Sequence, residues 1–351
     1  MALEPGAVSL HRLAEGESIR RVVATGTPPE HWVFARKTTF DVAPRFSLEI
    51  QRGIVVGDYG ANITPGGILD YETSEYFGLS GWKEHPLFLR RRLPPIEDVD
   101  GTVVALASRG GSHNYFHFLL DVLPRFGVFE DTMPGRRADA LYVPAGTAYQ
   151  RTFLELAGLD GYRIIPAAND RAVRADHLVV PSLPNRMEVA PTATVTWLRS
   201  RLPPKHLDDK PRRIYVTRGD RPNTRRLVRE AELLALLEPR GFVSVNPGQL
   251  SAQEQIDVFA AAEVVVAPHG AALTNLLFVS PGTRVLELFA SNYVNSCFWA
   301  ITQGIPDVDH RYLMDAGASR HGPGDPMNKI QADIDLDPAA VMEAVDALLD
   351  E

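Results

Sequence analysis

Four short stretches of the sequence combine residue types that could do chemistry. The first is Val264-Val265-Val266-Ala267-Pro268-His269-Gly270-Ala271-Ala272-Leu273-Thr274-Asn275. Here an apolar run passes through a turn of small residues directly into a helical pattern. Gly270, Ala271 and Ala272 let a ligand approach the backbone, and unpaired amides at a helix start suit a phosphate. His269, Thr274 and Asn275 would add side-chain donors. A tight strand–helix packing turn needs the same small residues, but it does not need a histidine. The second stretch is Val285-Leu286-Glu287-Leu288-Phe289, where a carboxylate interrupts an apolar strand and is costly to bury without a partner. Glu287 follows the glycine turn by one helix and one strand, the place where dinucleotide folds put a ribose-binding acid. The alternative is an outward-facing residue on an edge strand.

The third stretch gathers Arg212, Arg213, Arg218, Arg221, Arg225, Arg226 and Arg229, opposed only by Asp220 and Glu230. Guanidinium groups are suited to bidentate phosphate contacts. Arg218 stands at the carboxyl end of the apolar run Ile214-Tyr215-Val216-Thr217 and is the first choice for a diphosphate. The other arginines fit a solvated helix face. The fourth stretch is Gly110-Gly111-Ser112-His113-Asn114-Tyr115-Phe116-His117-Phe118-Leu119-Leu120-Asp121. His113, His117 and Asp121 are spaced i, i+4 and i+8, roughly one face of a helix. A metal site would lack an evident fourth ligand, and a hydrogen-bonded core histidine is an ordinary alternative. The favoured reading is an acid–base pair, His117 with Asp121, with Asn114 positioning the substrate.

These stretches need elements to hold them. The first hundred residues are rich in short apolar runs and turn signals, which predicts irregular β-structure. From Gly101 the pattern predicts strands at 103–107, 140–143, 163–165 and 177–180, with helices at 114–129, 148–157 and 192–202. Pro124 is expected to end or kink the first of these helices. Pro203–Pro211 is polar and bracketed by prolines, so it is the best linker. Beyond it, strands at 213–217, 242–245, 264–267 and 285–289 alternate with helices at 229–237, 251–262 and 271–278. Alternation of this kind specifies a parallel sheet covered by helices. Asp337 and Pro338 begin a final helix over 339–349.

Bulk properties narrow the function classes. The 351 residues suffice for two domains with separate cores. A net charge of −8 argues against a general nucleic-acid binder. The single cysteine, Cys297, leaves no intrachain disulfide and no multi-cysteine metal site. No apolar run reaches membrane-spanning length and the start does not read as a signal peptide, so a cytoplasmic location is expected. Peripheral association with the inner membrane face is compatible with this, and oligomeric state is not readable.

Taken in order, the motifs resemble glycosyltransferase family 61. That family is marked by Asn-x-x-His-x-x-x-Asp, read here as Asn114, His117 and Asp121, followed by Leu123-Pro124-Arg125. Next come Tyr215 to Arg218, a Leu-Ser-x-x-Glu-Gln segment at Leu250, Ser251, Glu254 and Gln255, then Pro268 to Asn275 and Pro281 to Glu287. Phe116 and Phe118 stand where bacterial relatives more often show Tyr and Trp. The resemblance covers about 101–289. It implies an α/β protein of GT-B architecture, with two Rossmann-like domains facing across a cleft and the last helix crossing back. The expected domains are 1–205 on the acceptor side, 206–335 for the nucleotide sugar, and 336–351 packing back on the N-terminal domain.

The resemblance further implies an inverting transferase that moves a sugar from a nucleotide sugar to a glycan or lipid-linked glycan, with no metal and no cofactor required. A UDP-sugar is the expected donor, and a bacterial-type role in surface polysaccharide synthesis fits a chain without an anchor. Arg218, His269, Gly270, Ala271, Ala272, Thr274, Asn275 and Glu287 would bind the donor; Asp121 or His117 would be the base. Competing readings are a non-catalytic nucleotide- or glycan-binding subunit and a polysaccharide pyruvyltransferase. A dinucleotide dehydrogenase ranks low, because the turn offers one glycine rather than G-x-G-x-x-G.

Overall fold

The computed structural model describes residues 6–219, 225–317 and 332–350. The chain divides into two compact units, Met1–Ser18 with Asp41–Leu202, and Ile19–Phe40 with Pro203–Glu351. Among the described residues no helix is long and apolar enough to cross a membrane.

The first unit is built on a mixed sheet of eight strands. Its main path runs Val8–Ala14, Arg45–Gln51, Ala172–Pro181, Ile96–Ala105, Ala140–Val143 and Arg163–Pro166. The last four of these are mutually parallel and the first two pair antiparallel. One sheet face buries Leu48, Ile50, Val103, Ala105, Tyr142, Val173 and Leu178 in a single cluster. After the strand Ile96–Ala105 the chain turns into Tyr115–His117, then a π-helical turn over Phe118–Val122, then the helix Arg125–Thr132. Pro124 explains this break: it lacks an amide hydrogen and its ring crowds the carbonyl four residues back. Widening the preceding turn relieves the crowding, and the Leu123 amide bonds Phe118 O at 3.0 Å. The helix expected over 114–129 with an end or kink at Pro124 is therefore three pieces.

The second unit is a six-stranded, all-parallel sheet in the order Phe242–Val245, Arg213–Val216, Val264–Pro268, Arg284–Phe289, Asp309–Met314, Thr25–Thr27. Counting from Arg213, the strands follow the doubly wound order 2-1-3-4-5. The runs are apolar because both faces are covered: Val264, Val265 and Val266 are all buried. Local signals agree with this arrangement. Ser251 and Glu254 form a capping box on the helix Ala252–Ala261, with 2.8 and 3.3 Å bonds. Gly241 takes the left-handed conformation (φ 79°) that stops the preceding turn before the strand at Phe242.

The compact units differ from the expected domain bounds in two places. The final helix, Pro338–Leu349, packs within the second unit. Its Val341, Met342, Val345 and Leu348 join Tyr215, Leu233, Leu286 and Leu288 in one core. Its apolar stripe is thus part of the core of that unit, to which residues 336–350 belong rather than forming a separate piece. Conversely, 19–40 belongs to the second unit despite its place in the chain. Thr25–Thr27 supplies the edge strand, and Phe34 is buried in a stack on Tyr312 at 4.5 Å, edge-on to Trp299.

Candidate active site

In the 2-1-3-4-5 order, the connections leaving Arg213–Val216 and Val264–Pro268 diverge to opposite sides, and such points hold the ligands of open α/β sheets. Both of the first-choice stretches end there. Arg218 Nη1 donates to the His269 carbonyl oxygen at 2.8 Å, and Arg225 Nε donates to the same oxygen at 3.2 Å. Gly270 is extended (φ 172°), so it is not there for backbone freedom. A Cβ at Gly270 would lie 1.6 Å from Arg218 Nη1. The glycine is the space that the guanidinium occupies. Two like charges converging on one carbonyl repel each other, and an anion between them would remove that cost. Ala271 and Ala272, partly exposed, continue the turn.

His269 is fixed from behind. With Glu287 ionised, the His269 Nδ1–H donates to Glu287 Oε1 at 2.5 Å, and the His310 Nε2–H donates to Oε2 at 3.0 Å. His310 Nδ1 lies 3.1 Å from Thr302 Oγ1, which donates to Trp299 O at 2.8 Å. Burial lowers the His269 pKa below its ordinary value of 6.5 despite the pull of Glu287, and the Arg225 and Arg218 guanidiniums lower it further. Burial alone would push Glu287 up. The two histidines outweigh it and hold the carboxyl below its ordinary 4.5. The ring of His269 stacks on Phe289 at 4.8 Å and packs against Phe298 and Tyr293.

Three of the expected donor-site residues do other work. Glu287 has no exposed surface and both of its oxygens are held by histidines, so it supports His269 and does not face a ribose. Thr274 is fully buried and donates to Ala271 O at 2.7 Å. Asn275, equally buried, donates to Gln255 Oε1 at 3.0 Å and Ala272 O at 3.1 Å. The last two brace the turn from inside. Of the arginine group, Arg229 pairs with Glu232 and Asp337, Arg212 with Glu263, and Arg213 donates to Arg240 O. Arg221 and Asp220 lie outside the described residues. Arg225, expected on a solvated helix face, instead joins Arg218, with its guanidinium 4.8 Å from the Tyr293 ring centre. His310 carries no signal in the sequence, since it stands alone in a strand with no motif around it.

The fourth stretch makes a second constellation, in the first unit. It also lies at strand carboxyl ends, after Ile96–Ala105 and its parallel neighbour Ala172–Pro181. His117 Nδ1 and Asp121 Oδ2 are 2.7 Å apart across the π-helical turn. Asn185 Nδ2, arriving from beyond Pro181, donates to Asp121 Oδ1 at 3.0 Å. Asp121 is 3% exposed and both of its oxygens are engaged. With Nδ1 committed to Asp121, the nitrogen of His117 left for proton transfer is Nε2. Phe77 packs on the His117 ring at 4.7 Å, and the Arg109 guanidinium covers Phe77. Arg125 is buried below the pair, donating to Pro181 O and Ala107 O and so tying the two strand ends together. Burial brings its pKa down to about 9.

Two expectations for this stretch change. His113 lies ahead of the helix, exposed and 3.2 Å from Asp58, so the one-face triad His113–His117–Asp121 does not form. Asn114 is the N-cap, its Oδ1 accepting from the Phe116 amide at 2.9 Å. Among the described residues no group of three or more His, Cys, Asp or Glu is placed to hold a metal ion.

Fold and sites together define an α/β protein with a cationic turn at one sheet's switch point and a His–Asp pair at the ends of another's strands. The model of the glycosyltransferase 61 family matches residues 115–286, from the His–Asp pair to the strand that carries Glu287, so the chain carries the domain of that family. The chain is also similar to protein O-linked-mannose beta-1,4-N-acetylglucosaminyltransferase 2 of Takifugu rubripes, 32% identical over 111 residues. That match covers 30% of this chain and 19% of that protein's length.

Proposed function

We propose that the protein is an inverting glycosyltransferase of GT-B type, taking a sugar from a nucleotide sugar to a hydroxyl of a glycan or lipid-linked glycan. The observation that carries this reading is the convergence of Arg218 and Arg225 on the Gly270 turn at the switch point of a parallel sheet. In this reading the diphosphate of the donor, a UDP-sugar first, lies against the two guanidiniums and the Gly270–Ala272 amides. Charge grows on the leaving diphosphate as the anomeric C–O bond breaks. Donors fixed in advance stabilise it, each by on the order of 3 kcal/mol.

The acceptor half belongs to the first unit. His117 Nε2 takes the proton of the attacking hydroxyl while its oxygen bonds to the anomeric carbon, and the nucleoside diphosphate departs from the opposite face. Asp121 holds the imidazole in one tautomer and balances the charge it gains. This assigns the base to His117 and the orienting role to Asp121. Surface polysaccharide synthesis remains the proposed setting, and no metal step is required of these residues. Calorimetry with UDP, GDP and CMP, followed by a screen of nucleotide sugars for slow donor hydrolysis, tests the reading. One nucleoside diphosphate is expected to bind and its sugar to be hydrolysed; binding of none removes the donor site. Binding without any hydrolysis or transfer would favour a non-catalytic subunit.

A further inference from the structure

Residues 82–93 of the first unit show a surface that neither constellation uses. Trp82 is 53% exposed, Phe88 46%, Leu89 77% and Leu93 40%. Single exposed apolar side chains are ordinary, but four in one short stretch form a patch that calls for an occupant. The patch is not a loose loop that could turn these side chains inward. Two short 3₁₀ turns, Trp82–Glu84 and Pro86–Leu89, flank a fully buried His85. The His85 Nε2 lies 2.8 Å from Ser74 O, and its Nδ1 accepts from the Leu87 amide at 3.2 Å. Leu87 enters a core cluster with Ile54, Val56, Tyr59 and Ile63. Arg90 Nε donates to Tyr59 Oη at 2.9 Å, and the Glu84 carboxylate accepts from the Ser80 amide at 2.9 Å. One face of the segment is thus anchored, which holds the other face outward. There the Trp82 and Phe88 rings pack edge to face at 5.4 Å, with Lys83 over the indole.

The charge of the segment identifies the occupant. Lys83, Arg91 and Arg92 are exposed beside the apolar side chains, Arg90 lies next to them, and Glu84 is the only acid in the stretch. The chain as a whole carries −8, so this basic patch runs against the net charge. An apolar wedge of Trp, Phe and Leu bordered by Arg and Lys is what binding at a bilayer interface needs. The wedge is buried at the headgroup–acyl boundary, and the cations meet anionic lipid within a Debye length. We propose that residues 82–93 are a docking face for an anionic lipid bilayer, with Trp82, Phe88 and Leu89 inserted and Lys83, Arg91 and Arg92 on the lipid phosphates. This goes beyond the transferase reading and does not depend on it.

Flotation of the purified full chain with phosphatidylcholine vesicles, with and without phosphatidylglycerol, tests the proposal. The chain should float with the phosphatidylglycerol vesicles, less so as salt is raised, and its tryptophan emission should shift to the blue. Trp82→Phe should remove that shift. The double variant Phe88→Asp/Leu89→Asp should bind at least about tenfold more weakly, with its melting temperature serving as the control for folding. Arg91→Glu/Arg92→Glu should lose the preference for phosphatidylglycerol while remaining folded. No flotation with anionic vesicles would overturn the proposal, as would undiminished flotation of the Phe88/Leu89 variant. A wild-type dimer that does not float, and that the Phe88/Leu89 variant converts to monomer, would assign the patch to a second copy of the chain instead.

Discussion

Gly270 and Arg218 are a matched pair, and the match makes a sharp prediction. A methyl group at position 270 and the Arg218 guanidinium cannot share the same space. Gly270→Ala should therefore displace Arg218 and weaken nucleoside diphosphate binding nearly as much as Arg218→Ala, by about 10²–10³ in kcat/KM. Backbone strain would not contribute, because Gly270 is extended, so the melting temperature should change little. The double variant should be no worse than Arg218→Ala alone; additive losses would show that the two residues act separately. At the other constellation, His117→Gln should lower turnover by about 10²–10⁴-fold with nucleotide affinity intact. Asp121→Asn should lower it less, because Nε2 survives and only its tautomer and charge balance are disturbed. Turnover of His117→Gln at the wild-type rate would remove the base assignment.

At the scale of elements, the strand Arg284–Phe289 makes the sheet a buried electrostatic device. Glu287 reaches histidines on two neighbouring chain segments, one after Val264–Pro268 and one in Asp309–Met314, and all three side chains are buried. Below pH 6.5 the unfolded chain protonates its His269 while the folded chain resists, so the unfolded state binds more protons and stability falls with pH. Below pH 4.5 the depressed Glu287 carboxyl adds a second loss of the same sign. Melting temperatures measured from about pH 8 down to about pH 4 should decline from the upper value onward, and His269→Gln should flatten the first part. Removing the carboxylate with Glu287→Ala should cost about 3–5 kcal/mol by leaving the histidines unpaired. A flat profile between pH 8 and 5 would show His269 equally protonated in both states. This device also marks where sequence reading stops. Ala140–Val143 was legible to the residue, since a parallel strand buried on both faces reads as an apolar run between turn signals, and the half-exposed edge strand Phe242–Val245 was legible from the turn at Gly241 that precedes it. The carboxylate in an apolar strand was legible as an anomaly. Its partner His310 was not, because pairing between parallel strands is non-local and leaves no spacing rule in the chain. Arg225 was equally hidden among seven arginines, since only the fold decides which of them turns toward His269.

For the molecule as a whole, chain order and folding unit part company, and this sets the last prediction. A cut at the proline-bracketed linker, residues 203–211, looks natural from the sequence. It would yield a fragment, Pro203–Glu351, without Ile19–Phe40, which belongs to the same compact unit. Without Thr25–Thr27, the strand Asp309–Met314 becomes an open parallel edge, a template for pairing with other chains. Without Phe34, the stacked face of Tyr312 and the edges of Trp299 and Phe289 lose their cover. Burial of one such aromatic is worth about 3–5 kcal/mol when it is removed from a core, a large share of the roughly 5–15 kcal/mol that holds a domain folded. The fragment Pro203–Glu351 should therefore be poorly soluble or molten, with the emission of its one tryptophan, the normally buried Trp299, shifted to the red. Joining residues 19–40 through a flexible linker to its N-terminus should restore a cooperative melt and nucleoside diphosphate binding. Phe34→Ala in the joined fragment should undo most of the gain. If the bare fragment folds cooperatively and binds nucleotide as tightly as the full chain, the early segment is an accessory strap rather than part of that core.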